Sequence, residues 1–149
     1  MKLEVDKNSR ILQSIHMAII QYPYHPQNLN AKHPPLIQHL IELEFSEHHQ
    51  CVTQIINMIA DLKQNGLSSR YLKKMKGPFL ELKTASRGGD KGGARVYLFQ
   101  TAINSFYLCY PECKSGNEAN AILLHKTLEI IRTFQNKQQL FPEESRGES

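Results

Sequence analysis

Residues 86–100 read SRGGDKGGARVYLFQ, and this stretch decides how the second half of the chain is interpreted. Four of the eight glycines lie within residues 88–93, and a strand-like apolar run follows them at once. Such a loop can hold a phosphate on its backbone N–H groups or simply connect two strands. The Walker pattern is absent, and a dinucleotide fingerprint requires a helix after the loop. We therefore predict a basic hairpin connection and no nucleotide cofactor.

The residues on both sides of the loop alternate as strands do. Residues 79–83 place Leu80 and Leu82 on one face, and residues 95–99 place Val96 and Leu98 on one face. If the two strands pair across the loop, Lys83 and Arg95 project together from the opposite face.

Two neighbouring cations repel each other unless an anion or solvent lies between them. Lys83 and Arg95 are therefore a candidate phosphate site, to which the planar fork of arginine is well suited. A second interpretation places Arg95 in a structural salt bridge with Glu81 or Glu42.

The remaining pattern predicts three helices and two further strands. The first half has a helix over 9–22, a strand over 41–45 and a helix from a Ser46 cap to Gly66. A basic turn or short helix over 70–76 follows. After the two strands beside the loop come a strand over 106–110, a capping box at 115–118 and a helix to about Gln135. This order predicts an α+β domain with a small, mainly antiparallel sheet and helices on one face.

Composition bounds the class of protein. The chain has 149 residues, 40% of them hydrophobic and 21% charged, which is typical of one globular domain. No apolar run approaches the roughly 20 residues that span a bilayer, and the polar N-terminus is unlike a signal peptide. Three cysteines without metal-type spacing indicate a reducing compartment and no disulfide framework, so we expect a cytoplasmic protein.

The seven histidines and the cysteines do not have the spacing of a metal site. His48 and His49 are adjacent and face different directions on a helix, and Cys109 with Cys113 has no second pair. We predict neither a metal nor a cofactor.

Positive charge is concentrated in one segment. Residues 70–95 contain eight basic and two acidic residues, a net charge of +6 in a chain of net +4. Such clustering indicates a polyanionic partner, and the alternative is a solvated surface balanced by acidic neighbours.

Three segments in this order, YLKKMKGPFLELK, SRGGDKGGARVYLF and FYLCYPECKSGNEANAILLHKTLEII, resemble the RelE/ParE toxin superfamily and especially its HigB-like branch. The resemblance covers roughly residues 37–135. It implies a curved antiparallel sheet with two helices on one side. It also implies a toxin of a type II toxin–antitoxin pair, an mRNA endoribonuclease (an mRNA interferase) that acts on the ribosome without a metal. Its implied partners are the message and a cognate antitoxin, with no membrane.

The resemblance also implies residue roles. Arg95 would neutralise the scissile phosphate, Lys83 would help activate the attacking 2′-hydroxyl or stabilise the transition state, and Lys114 would stabilise the leaving group. The residues implied to bind the RNA or ribosomal backbone are Lys73, Lys74, Arg87 and Lys91.

Some residues depart from the family pattern. Glu81 stands where a second basic residue is usual, and the last helix lacks the family's late aromatic or histidine unless Tyr97 or His125 substitutes. Two alternatives therefore stay open, a ParE-like inhibitor of DNA gyrase and a catalytically inactive relative that binds RNA or a partner.

The expected organisation has three parts. Residues 1–36 form an N-terminal helix and a proline-rich linker, residues 37–136 the toxin-like domain, and residues 137–149 a flexible tail. The apolar stripe of the N-terminal helix is expected to pack on the domain as extra core; the alternative is that it mediates a homodimer or antitoxin contact.

Overall fold

The computed structural model describes residues 17–84, 93–114 and 120–143. Within these ranges a five-stranded mixed sheet has the order β1-β5-β4-β3-β2, with β1 parallel to β5 and the other neighbours antiparallel. The α+β class is confirmed. The elements in chain order are β1 (Ile19–Gln21), α1 (Pro35–Phe45), α2 (His49–Asn65), a 3-10 turn (Gly66–Ser68), β2 (Leu72–Lys74), β3 (Leu80–Lys83), β4 (Gly93–Ala102), β5 (Ser105–Lys114) and α3 (Ala121–Gln135).

The two faces of the sheet bury two separate clusters. Helices α1 and α2 cover one face, here called the α1–α2 face, through Leu36, Ile55 and Leu62 against strand residues such as Val96 and Leu98. Helix α3 covers part of the opposite face, here called the α3 face. The α3-face cluster contains Tyr97, Phe99, Cys109, Tyr110, Ile130, Ile131 and Leu140.

The prediction of helices on one face is therefore wrong. In β4 the run Val96-Tyr97-Leu98-Phe99 is apolar at every position and buried throughout. A strand without polar residues at alternate positions buries both of its faces, so a helix is required on each side. The pair α1 and α2 on one side remains compatible with the fold that the resemblance implies.

The N-terminal segment joins the sheet, so the predicted helix over 9–22 is wrong at its C-terminal end. Residues 19–21 form β1, and the backbone N–H groups of Ala18 and Ile19 donate to the carbonyls of Lys63 and Asn104 at 2.8 and 2.9 Å. These partners are distant in sequence. Residues 9–16 lie outside the described residues.

The two ends of the described part of the chain contact each other through the segments near Tyr24 and Leu140. Tyr24 N–H donates to the Leu140 carbonyl at 2.7 Å, and the Leu140 side chain is buried. The proline-rich segment between β1 and α1 has no regular secondary structure, as predicted.

The predicted strand over 41–45 is instead the second half of α1. Its alternation spans only five residues, whereas Leu36, Ile37, Leu40 and Ile41 follow the spacing of one helix face. Pro35 occupies the first helical position, where its missing N–H costs nothing.

The predicted helix ending at Gly66 is confirmed as α2, although it begins at His49 and Ser46 caps the end of α1 instead. Gly66 has φ +57°, and its N–H donates to the Leu62 carbonyl. The basic turn predicted over 70–76 contains the edge strand β2, in which exposed Lys73 and Lys74 suit the edge of a sheet.

Cys51 and Cys113 form a disulfide, which contradicts the prediction of no disulfide framework. Cys51 lies in the first turn of α2, and Cys113 lies on β5 beneath it, with the two Cα atoms 6.0 Å apart. The residues are 62 positions apart, so only the packing of α2 on β5 brings them together. Since disulfides persist mainly in oxidising compartments, the cytoplasmic expectation loses the support that it took from the cysteines. Within the described ranges, no helix is long and apolar enough to cross a membrane.

Candidate nucleic-acid interface

The strand register brings the three predicted catalytic cations to one end of the α3 face. Lys83 of β3 is the direct partner of Arg95 in β4, and Arg95 is the direct partner of Glu112 in β5. Lys114 lies two residues beyond Glu112, so strand alternation assigns it to the same face, and at the end of β5 it also lines a cleft with His48 and Gln54 beside α2. The predicted pairing of Lys83 with Arg95 is confirmed.

Arg95 is buried, with only 2% of its surface exposed, and its Nη1 donates to Glu81 Oε2 at 3.3 Å. Glu81 is paired directly with Tyr97, so it reaches Arg95 diagonally across the two strands. The interpretation of Arg95 as a structural salt bridge with Glu81 is thus borne out by the geometry, and Glu42 instead accepts a hydrogen bond from Gln38 on its own helix.

A second polar pair adjoins the ion pair. The Tyr97 hydroxyl donates to Glu112 Oε1 at 2.5 Å and accepts from the backbone N–H of Asn120 at 3.3 Å. Burial, followed by the hydrogen bond to Glu112, raises the pKa of Tyr97, so this phenol stays protonated and acts as a donor. Asn120 in turn caps α3 by accepting from Ile122 and Leu123 N–H groups at 2.9 and 3.1 Å.

Lys83 and Lys114 are the more open members of the cluster, since both side chains are partly exposed while Arg95 is buried. Within this described cluster, the three cations Lys83, Arg95 and Lys114 exceed the two carboxylates Glu81 and Glu112 by one charge. Glu81 and Glu112 point toward the interior partners Arg95 and Tyr97, which leaves the two lysines to meet an anion first.

The predicted RNA-binding residues do not all share this face. Lys73 is the direct partner of Glu81 and lies on the α3 face, whereas Lys74 pairs with Leu80 and projects to the α1–α2 face. Both lysines are exposed on the edge strand β2. Arg87 and Lys91 lie outside the described residues, as does the capping box predicted at 115–118.

Tyr97 and His125, the two possible substitutes for the aromatic or histidine of the family's last helix, lie in different parts of the structure. Tyr97 belongs to the cluster, while His125 lies on the exposed side of α3, 3.6 Å from Glu129. Among the described residues, no three His, Cys, Asp or Glu side chains are placed to hold a metal ion.

Sequence reasoning missed Glu112 and the hydrogen bond of Tyr97 because β5 was predicted to end at Tyr110, before Pro111. The strand continues to Lys114. Strand β5 pairs with β1 only as far as Tyr107. Pro111 therefore needs no backbone N–H to hydrogen-bond a neighbouring strand on the β1 side. The alternate positions of Glu112 and Lys114 after the apolar run were the sequence signal that β5 continues beyond Tyr110.

No family model and no curated protein matches this chain.

Proposed function

We propose that this chain is a RelE/HigB-like toxin that binds mRNA on the ribosome with the α3 face of its sheet and cleaves it. The observation that carries the proposal is the placement of Lys83, Arg95 and Lys114 at one end of one sheet face, although Lys83 and Lys114 are 31 positions apart in sequence. An array of cations on an open strand end suits the phosphates of an extended RNA.

The proposed reaction is an internal transesterification. The 2′-oxygen of the RNA forms a bond to the adjacent phosphorus while water takes up the proton of the 2′-hydroxyl. The bond from phosphorus to the 5′-oxygen breaks, and the 5′-oxygen takes a proton from water. Lys83 lies next to the attacking hydroxyl, and Lys114 stabilises the leaving oxygen. Positioned cations lower the barrier because negative charge develops on the phosphorane oxygens.

Arg95 has a modified role in this proposal. Its guanidinium is held by Glu81, so it contributes positive potential from beneath the two lysines rather than direct contact in the free protein. The matching antitoxin and the ribosome are the partners proposed with this function.

The burial of Arg95 also supports a second candidate, an inactive relative that binds RNA without cutting it. A phosphate must compete with Glu81 for a guanidinium that solvent barely reaches. If the phosphate does not displace Glu81 from Arg95, the protein binds RNA without cutting it.

A translating extract distinguishes these functions, with message integrity mapped by primer extension. We expect cleavage by the wild-type protein and a loss of about 100-fold in the Lys83→Ala and Lys114→Ala proteins. Lys63→Ala is the matched control, because Lys63 is exposed on α2 away from the cluster. RNA bound but uncut identifies the inactive relative, and loss of gyrase supercoiling with intact mRNA identifies the ParE-like function.

A further inference from the structure

A second polar cleft shares no residue with the cation cluster, and it adjoins the cluster where Tyr110 pairs with Tyr97. It has a volume of about 590 Å³ and is bounded by the proline-rich segment, α1 and α3, with Tyr110 of β5 among its lining residues. The volume is sufficient for a small metabolite. The side chains that matter for recognition are His25, Gln38, His39, Lys126 and Glu129.

The wall formed by the proline-rich segment is fixed in place. His25 Nε2 donates to Glu129 Oε1 of α3 at 2.7 Å, and the Gln27 N–H donates to His25 Nδ1 at 3.2 Å. The second bond makes Nδ1 the acceptor, so the proton is on Nε2 and both nitrogens of His25 are used. The neighbouring Tyr24 is held by the Leu140 carbonyl. The cleft is therefore preformed.

Glu129 is the only carboxylate among the described residues that line the cleft, and it is already hydrogen-bonded. Besides His25, it has His125 Nε2 at 3.6 Å from its second oxygen. The hydrogen bond from His25 lowers the pKa of Glu129, which keeps the carboxylate ionised and the pair intact. An incoming ligand consequently meets a carboxylate whose charge is shared with two imidazoles.

His39 and Lys126 face the cleft without such partners. The His39 ring packs edge-on against Tyr110, with ring centroids 5.4 Å apart, and neither of its nitrogens has a hydrogen-bond partner among the described residues. Lys126 is exposed and forms no salt bridge with a described carboxylate. Among the described lining residues, the cleft thus offers the ammonium group of Lys126 and the imidazoles of His33 and His39, next to the aromatic surface of Tyr110.

We propose that this cleft binds a small ligand carrying one oxyanion group, a phosphate monoester or a carboxylate, through Lys126 and His39. Lys126 supplies the charge, His39 donates a hydrogen bond, and the amide of Gln38 lies within the same cleft. The Gln38 amide also donates to Glu42 at 3.0 Å, which orients it. This proposal is independent of RNA cleavage, because no residue is common to the two sites.

The test is a titration of the full-length protein followed by NMR of the histidine ring signals. The probes are inorganic phosphate, adenosine 5′-monophosphate and acetate, and they separate the phosphate source from the carboxylate source. We expect saturable shifts of His39 with a Kd of about 1 mM or lower for at least one probe.

Two variants test whether the oxyanion binds at Lys126 and His39. Lys126→Ala and His39→Phe are each expected to weaken it about tenfold or more, while Lys63→Ala leaves it unchanged. His39→Phe retains a ring against Tyr110, and Lys126 is exposed, so both proteins are expected to fold, which near-UV circular dichroism verifies. Absence of saturation with all three probes, or equal weakening in Lys63→Ala, overturns the proposal.

Discussion

Loss of the Cys51–Cys113 disulfide is expected to remove a large part of the stability of this domain. The bond closes a loop across 62 positions, so its removal restores loop entropy of about 14 cal/mol/K to the unfolded chain. At about 25 °C this corresponds to about 4 kcal/mol, out of a total of about 5–15 kcal/mol for a typical domain.

The assay compares urea unfolding of the oxidised protein with that of the Cys51→Ala/Cys113→Ala double variant. The free energy of unfolding is expected to fall by about 4 kcal/mol. Cys109→Ala is the matched control, because Cys109 is a buried free thiol in the core and its replacement leaves the loop closed. We expect the control to lose about 1 kcal/mol.

A thiol count decides whether the bond exists in solution. Burial raises the pKa of the Cys109 thiol, so this thiol in the native protein is expected to react slowly with a thiol reagent. The unfolded, oxidised protein is expected to show one reactive thiol per chain. Three thiols in the unfolded, unreduced protein, or a double variant no less stable than Cys109→Ala, would refute the reasoning.

Two further predictions concern a turn and a histidine. Gly66→Ala is expected to lower the free energy of unfolding by about 2 kcal/mol, because Gly66 has φ +57° and an added Cβ would lie 2.6 Å from Asn104 Oδ1. Gly77→Ala, with φ +90° but its nearest contact at 3.5 Å, is expected to lose less in the same urea assay. Burial lowers the pKa of His39 from 6.5, Lys126 lowers it further, and Glu42 opposes both effects. An NMR pH titration is therefore expected to show a lowered pKa for His39, and this pKa is expected to rise in the Lys126→Ala protein. Because the unfolded state takes up this proton first, His39 is expected to reduce stability as the pH falls below about 6.5.

The elements α2, β3 and β4 could be predicted from sequence because their signals are local. Alternation within residues 79–83 and 95–99 identified β3 and β4 and paired Lys83 with Arg95 correctly. The periodicity of α2 and the glycine after it also gave the right helix. In each case the buried face repeats within a few residues.

The misses have non-local causes. β1 exists because it pairs with β5, in which Ser105 is 86 positions from its partner Ile19, and the disulfide exists because α2 packs on β5. α1 was misread because five residues of a helix face can also alternate like a strand. Within the candidate site, the sequence left Glu81 and Glu42 open as partners of Arg95, and the choice of Glu81 depended on the register of two strands.

The most direct test of the proposed function is cleavage of a message in a translating extract by the wild-type and Lys83→Ala/Lys114→Ala proteins. We predict ribosome-dependent cuts by the wild type and a loss of more than about 100-fold in the double variant, with both proteins equally folded. Intact mRNA with the wild type, or undiminished cleavage by the double variant, would contradict the assignment of these cations as the cleaving site.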